Sequence, residues 1–206
     1  MCGHVSEPTC KQGSNGALAC PIIRLLGQSC ACVGLAVGVS SCGPFVLRDG
    51  LVELAAPNIC GGLAGPARGL PNPWTTALLE APLRANFPHV RVENDGIAAL
   101  AAEHRWGALQ VSGQPIAHCA YLTWSTGIGV GLCVDGHILR GKNGNADHAG
   151  HMFVTDNNDA LCGCGNVGDV GDVEALVAGN AIPRHFSAAG YANAAALLIA
   201  SKEGNT

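Results

Sequence analysis

The chain reads as an α/β protein, and three observations say so. Strand-like and helix-like stretches alternate along it. Glycine is frequent, at 29 of 206 residues, while aromatic residues make up only 4%, a pairing that suits tight turns and small-residue contacts. The alternating run "HVRVE" also passes directly into a helix-start signal at Asn94 and Asp95.

Composition bounds the rest. A chain of this length, 48% hydrophobic and 13% charged, can bury a core in one domain or two small ones and is not disordered. The net charge of −4, with no basic run, points away from nucleic acid and from anionic membrane surfaces. The longest apolar region, residues 17–39, is interrupted by Pro21, Arg24 and Gln28, too soon for a spanning helix. With no secretory pattern in the opening residues, the expected compartment is the cytoplasm. Eleven cysteines are present, six of them within the first 42 residues. The odd number and the expected compartment favour reduced, mostly buried thiols over a disulfide framework.

Taken in order, residues 1–30 show no sustained period and predict no element. "ACVGLAVGV", residues 31–39, predicts a strand buried on both faces. "RDG" at 48–50 predicts the turn of a hairpin over 45–54. Residues 55–73, rich in Gly and Pro, predict loop, and 74–83 a helix. "HVRVE" predicts a strand over 89–93. The helix from Asp95 places Ile97, Leu100, Ala101 and His104 on one face. Residues 119–124 and 129–134 predict strands, with Asp135-Gly136 turning into "HILR". Two short helices are expected over 172–177 and 192–201.

Three constellations carry chemistry. Asn94 and Asp95 end a strand and open a helix, where open α/β sheets place ligands. A carboxylate there can take a proton from a hydroxyl, although Asn-Asp is also an ordinary helix cap. In "TWSTGIGVG" the glycines let backbone N–H groups approach an anion, and Thr126 adds a hydroxyl. The same stretch also reads as a plain hairpin turn. His151, Cys162 and Cys164 are three plausible zinc ligands, with Asp169 and Asp172 near enough in sequence to supply a fourth.

The segments "VENDGIAAL", "TWSTGIGVGLCVDGHILRGKNGNADHAGH" and "CGCGNVGDV", in this order, resemble the ROK sugar kinases, and "VGLAVGVSSCGPFVLRDGLVELAAPN" is similar to that family's first domain. The likeness covers about residues 33–179. It implies an actin-like (ribonuclease H-like) two-domain fold, with both domains incomplete here: residues 1–94, of which 1–30 stay unassigned, and residues 95–206, with a metal region at 148–174. It implies ATP-dependent phosphorylation of a hexose, glucokinase-like, with Mg²⁺ and a structural Zn²⁺, and it admits a homodimer. By the same resemblance Asp95 is the catalytic base and Asn94 a ligand of sugar hydroxyls. Ser125, Thr126, Gly127 and Gly129 form the second phosphate motif. His151 binds zinc and sugar, Cys162 and Cys164 open the cysteine cluster, and Glu174 closes it while contacting sugar.

The sequence departs from the family at four places. It contains no Asp-x-Gly-Gly-Thr phosphate loop. It stops soon after the metal region, without the Gly-rich adenosine segment. His148 stands where the family has a sugar-binding Glu, beside Asp147 in place of a small residue. The family pattern Cys-x-Cys-Gly-x-x-Gly-Cys-x-Glu has lost its third Cys. Deleting one of the two consecutive Gly-Asp-Val triplets restores the spacing, so the repeat reads as a three-residue duplication. Asp169 or Asp172 then replaces the third thiolate, with Asp169 taken as the metal ligand. These departures lead to the expectation of a kinase impaired as it stands, the alternative being a sugar-binding ROK protein without catalysis or a degenerate remnant.

Overall fold

The computed structural model describes residues 4–29, 34, 36–61, 69–146, 148–156, 160–165, 171–186, 189–191 and 193–204. These divide into two compact units: Met1–Ala98 with Arg140–Ala146, and Ala99–Leu139 with Asp147–Thr206.

In the first unit, helix α1 (Cys20–Ser29) follows a single 3-10 turn at Ala17–Ala19. No element is expected there from the sequence, because residues 1–30 show no sustained period, and Pro21 falls inside the helix. In the first turn of a helix, however, proline removes an N–H that has no partner anyway. Ile22, Ile23 and Leu26 then pack on the core. Strand β1 (Ala36–Ser41) pairs in parallel with β5 (His89–Asn94). Its residues alternate between exposed and half-buried, which corrects the expectation of burial on both faces. β5 is its one partner among the described residues, and residues 31–33 and 35 of the expected strand lie outside them.

The hairpin β2 (Phe45–Arg48) and β3 (Leu51–Leu54) forms as expected. Asp49 and Gly50 both take positive φ (53° and 77°), the signature of a two-residue turn matched to strand twist. Within the expected loop a short helix α2 (Pro57–Cys60) forms. Residues 74–83 are not one helix: β4 (Ala77–Leu78) adds to β3, and α3 (Glu80–Arg84) starts only afterwards. Pro82 explains the late start. A helix from Trp74 would carry it in the interior, whereas in α3 it falls in the first turn. Leu54, Leu83, Phe45, Trp74 and Phe87 form the core of this unit.

Helix α4 (Asp95–Trp106) begins where β5 ends, and the division between the units falls inside it, after Ala98. The expected boundary at 94/95 lies four residues earlier. No sequence signal marks residues 140–146 as belonging to the first unit. Asn145 makes the attachment: its Oδ1 accepts from Phe45 N and its Nδ2 donates to Phe45 O, both at 2.7 Å. Arg140 Nε donates to Glu93 Oε2 at 2.6 Å.

The second unit holds β6 (Gln110–Val111) and β7 (Gln114–Pro115), a hairpin turning at Ser112-Gly113 that adds to the two expected. Its larger sheet orders β10 (His137–Ile138), β9 (Ile128–Val134) and β8 (Cys119–Trp124), all antiparallel. Beyond a 3-10 turn at Ala149–His151 lie α5 (Val173–Val177), α6 (Ile182–Phe186) and α7 (Ala194–Lys202). Among the described residues no helix is long and apolar enough to cross a membrane. The described cysteines are free thiols, as expected, but only Cys60, Cys133 and Cys162 are buried, so "mostly buried" does not hold for them.

Candidate active site

In the first unit, β5 runs out at Asn94, which is only 8% exposed, and α4 starts at the next residue. Asn94 Oδ1 accepts from Gly96 N (2.9 Å) and from Ile97 N (3.3 Å), so the asparagine is the helix cap. Asp95 Oδ1 accepts from Gly96 N at 2.9 Å, and its side chain faces solvent. The two readings of Asn94-Asp95 therefore separate onto two residues. One satisfies the helix end, and the other keeps a carboxylate oxygen available to an incoming hydroxyl.

In the second unit, residues 125–127 form the tip of the β8–β9 hairpin. Ser125 N donates to Gly127 O at 2.9 Å. Two carbonyls of the tip are held from the segment after α5, since Gly179 N donates to Ser125 O (2.8 Å) and Asn180 N to Thr126 O (3.3 Å). Gly129, expected to offer its N–H to phosphate, donates instead to Thr123 Oγ1 at 3.0 Å. Ile128 N donates to Glu174 Oε2 at 2.9 Å. The N–H groups with no partner among the described residues are those of Thr126 and Gly127, adjacent at the turn and suited to cradle an anion. A side chain at Gly127 would meet the Glu174 carboxylate: its Cβ would lie 2.8 Å from Oε2.

Glu174 thus ties the tip to the thiol cluster, because Cys162 Sγ donates to its Oε1 at 3.7 Å. His151, Cys162 and Cys164 bring their ligand atoms within 4.8 Å of one another. Cys162 Sγ and His151 Nδ1 are 3.6 Å apart. A tetrahedral zinc centre with ordinary Zn–S and Zn–N bonds holds sulfur and nitrogen about 3.6 Å apart, so the donor set fits the ion. His148 stacks on His151 with ring centroids 6.0 Å apart. Burial, first of all, pushes the Cys162 thiol far above its ordinary range, a cost that a bound cation would offset.

Asp169 lies outside the described residues. Asp172 lies inside them, 2% exposed, two residues ahead of Glu174 and so at the position of the family's third Cys. Its Oδ2 is 3.0 Å from His151 Nδ1, while its Oδ1 caps α5 by accepting from Ala175 N at 2.6 Å. The sequence admits either aspartate, and the expected ligand Asp169 is the one outside the described residues. The signal for Asp172 is its Cys-x-Glu spacing to Glu174. The backbone clamp from Gly179 and Asn180 leaves no signature in sequence beyond a glycine. There a Cβ would come 2.5 Å from Ser125 O.

The mixed α/β architecture is that of the actin-like sugar kinases. It is similar to a ROK hexokinase from Thermus thermophilus, with a TM-score of 0.61 and 29% identity over 98% of this chain and 61% of that one. It is also similar to a ROK family glucokinase from Streptomyces griseus in complex with glucose and AMPPNP, with a TM-score of 0.51 and 28% identity, covering 81% of this chain and 48% of that one. The chain belongs to the ROK family, whose model matches residues 73–204. A glucokinase from Pyrobaculum calidifontis is 38% identical over 151 residues, 73% of this chain. That span is 43% of the relative's own length.

Proposed function

We propose that these residues serve ATP-dependent phosphorylation of a hexose, with glucose the first candidate. One observation carries the reading: Asn94 takes over the helix cap, which leaves the Asp95 carboxylate exposed at the end of β5. Phosphoryl transfer asks little of the protein beyond aligning a hydroxyl, accepting its proton and stabilising phosphate charge. Asp95 is the base in this proposal. The N–H groups of Thr126 and Gly127 and the hydroxyls of Ser125 and Thr126 are the phosphate donors, while Mg²⁺ enters with the nucleotide to offset its charge. Asn94, His148, His151 and Glu174 are the sugar contacts. Family membership and the glucokinase relative support the substrate class, and His148 is the residue most relevant to which hexose is taken.

The proposed metal centre takes His151, Cys162, Cys164 and Asp172. Zinc there would supply structural cross-linking rather than chemistry. Its carboxylate corner makes it weaker and less selective than a site with three thiolates.

The test is a coupled ADP-release assay with a hexose panel and Mg-ATP, run beside calorimetric titrations with glucose and with ATP. A kinase binds both ligands, a sugar sensor glucose alone, and a remnant neither. Asp95→Asn is expected to lower turnover roughly 10²–10⁴-fold with the fold intact, since the Asn94 cap remains. Equal turnover in variant and parent removes Asp95 from the mechanism.

A further inference from the structure

A second thiol–imidazole cluster lies in the second unit, apart from the residues used so far. Cys119 and Cys133 face one another across the β8–β9 ladder, at the open end of the hairpin whose other end is the phosphate-motif turn. His104, in the last turn of α4, points its Nε2 at them, and all three ligand atoms fall within 4.8 Å of one another. Cys133 is only 2% exposed, while His104 and Cys119 are half-buried.

The ordinary reading is a packed histidine beside two small apolar thiols. His104 Nε2 does stand 2.9 Å from Ile116 O, and a carbonyl can only accept, so this nitrogen carries the proton. The thiols make the long contacts usual for sulfur, Cys119 Sγ to Ile116 O and Cys133 Sγ to Ala117 O, each 3.6 Å, and they hydrogen-bond to one another. Cys133 Sγ is 3.7 Å from His104 Nε2. That is the separation of about 3.6 Å that a tetrahedral zinc centre imposes on a sulfur and a nitrogen ligand.

We propose that His104, Cys119 and Cys133 form a second binding site for a thiophilic divalent cation, Zn²⁺ by preference. Two thiolates and one imidazole are a set zinc accepts, and an oxygen from Ile116 or from water completes four. The protons balance simply. Each thiol releases its proton to solvent, and the imidazole proton moves from Nε2 to Nδ1, so Nε2 presents its lone pair to the metal. The bound ion would fasten the C-terminal turn of α4 to the base of the β8–β9 hairpin. It owes nothing to the His151 cluster, which shares no residue with it.

Alkylation read residue by residue tests this on the full chain. The reduced, metal-free protein is treated with iodoacetamide with and without added Zn²⁺, and each cysteine is followed by peptide mass spectrometry. A thiolate held by metal is removed from the reactive pool. Labelling of Cys119 and Cys133 together should slow about 100-fold with free zinc at roughly 100 times its Kd. His104→Gln keeps a donor for Ile116 O and removes the ligand nitrogen, so it should abolish that protection while leaving Cys162 and Cys164 protected. The proposal is overturned by zinc-independent labelling of Cys119 and Cys133, or by protection that persists in His104→Gln. A Cys119–Cys133 disulfide found as the resting form of the purified protein overturns it too. Loss of protection at Cys162 and Cys164 alone would count against the His151 centre and leave this one standing.

Discussion

Asn94 and Asp95 show how a local ambiguity is resolved one atom at a time. From sequence, cap and base compete for the same dipeptide. In the fold, Asn94 Oδ1 draws the N–H groups of Gly96 and Ile97, and the exposed acid beside it shares only that of Gly96, through one of its two oxygens. Cys42, in the same unit, adds a pH dependence. Burial, first, and then the Asp95 charge push its thiol above the ordinary value of 9.0. A group whose folded-state pKa is raised contributes stability that is full below its unfolded value and is lost as pH rises through the folded one. The chain should therefore keep its urea midpoint up to about pH 9 and lose stability above it. Cys42→Ser should flatten that alkaline decline, and an unchanged slope between pH 8 and pH 10 would assign the decline to other groups.

At the scale of elements, the turn at 125–127, proposed to hold phosphate, is held by what packs beneath it. Gly179 N and Asn180 N fix its carbonyls, and Glu174 fixes Ile128. Gly179→Ala would bring a methyl to 2.5 Å from Ser125 O, a backbone atom that moves only if the turn moves. We expect a loss of about 1–3 kcal/mol by denaturant titration, as for other overpacked sites, with nucleotide affinity falling as well. Affinity that survives a confirmed loss of stability would show that the turn is not where phosphate sits. Much at this scale is legible in the sequence. Asp49-Gly50 and Asp135-Gly136 name their turns, and "HVRVEND" names both a strand and the helix that follows. What is not legible depends on position within an element. Residues 1–30 show no sustained period, so α1 goes unpredicted, Pro82 sits inside an expected helix although it fits only a first turn, and β1 reads as fully buried because its apolar residues do not reveal how many neighbours cover them. The same holds in the metal region, where a duplicated Gly-Asp-Val offers two aspartates for one ligand position: Asp172 lies beside His151, and Asp169 lies outside the described residues.

For the molecule as a whole, the proposed zinc centre gathers donors from the turn at Ala149–His151, the thiol segment at 162–164 and the start of α5. Among the described residues their own buried cluster is small: Ala160, Cys162 and Ala175, with Cys164 and Leu176 packed against it. A ligand bound only by the folded state stabilises it by about 4 kcal/mol at 1,000 times its Kd. Chelation should therefore lower the melting temperature, by about 2–4 °C for each kcal/mol lost. Cys162→Ser should lose most of that response. A melting curve that ignores both chelator and added zinc would leave His151, Cys162 and Cys164 as a packed cluster with no structural ion.

The path of the chain through its two units has a consequence for biosynthesis. The first unit does not close with its own first 98 residues, because the amide and carbonyl of Phe45 are satisfied by Asn145, a hundred positions later. A nascent polypeptide leaving the ribosome must therefore present the β8–β9 hairpin before the unit that began first can be finished. Until residue 145 emerges, the edge of β2 stays open to whatever else can pair with it, a chaperone or another unfinished copy.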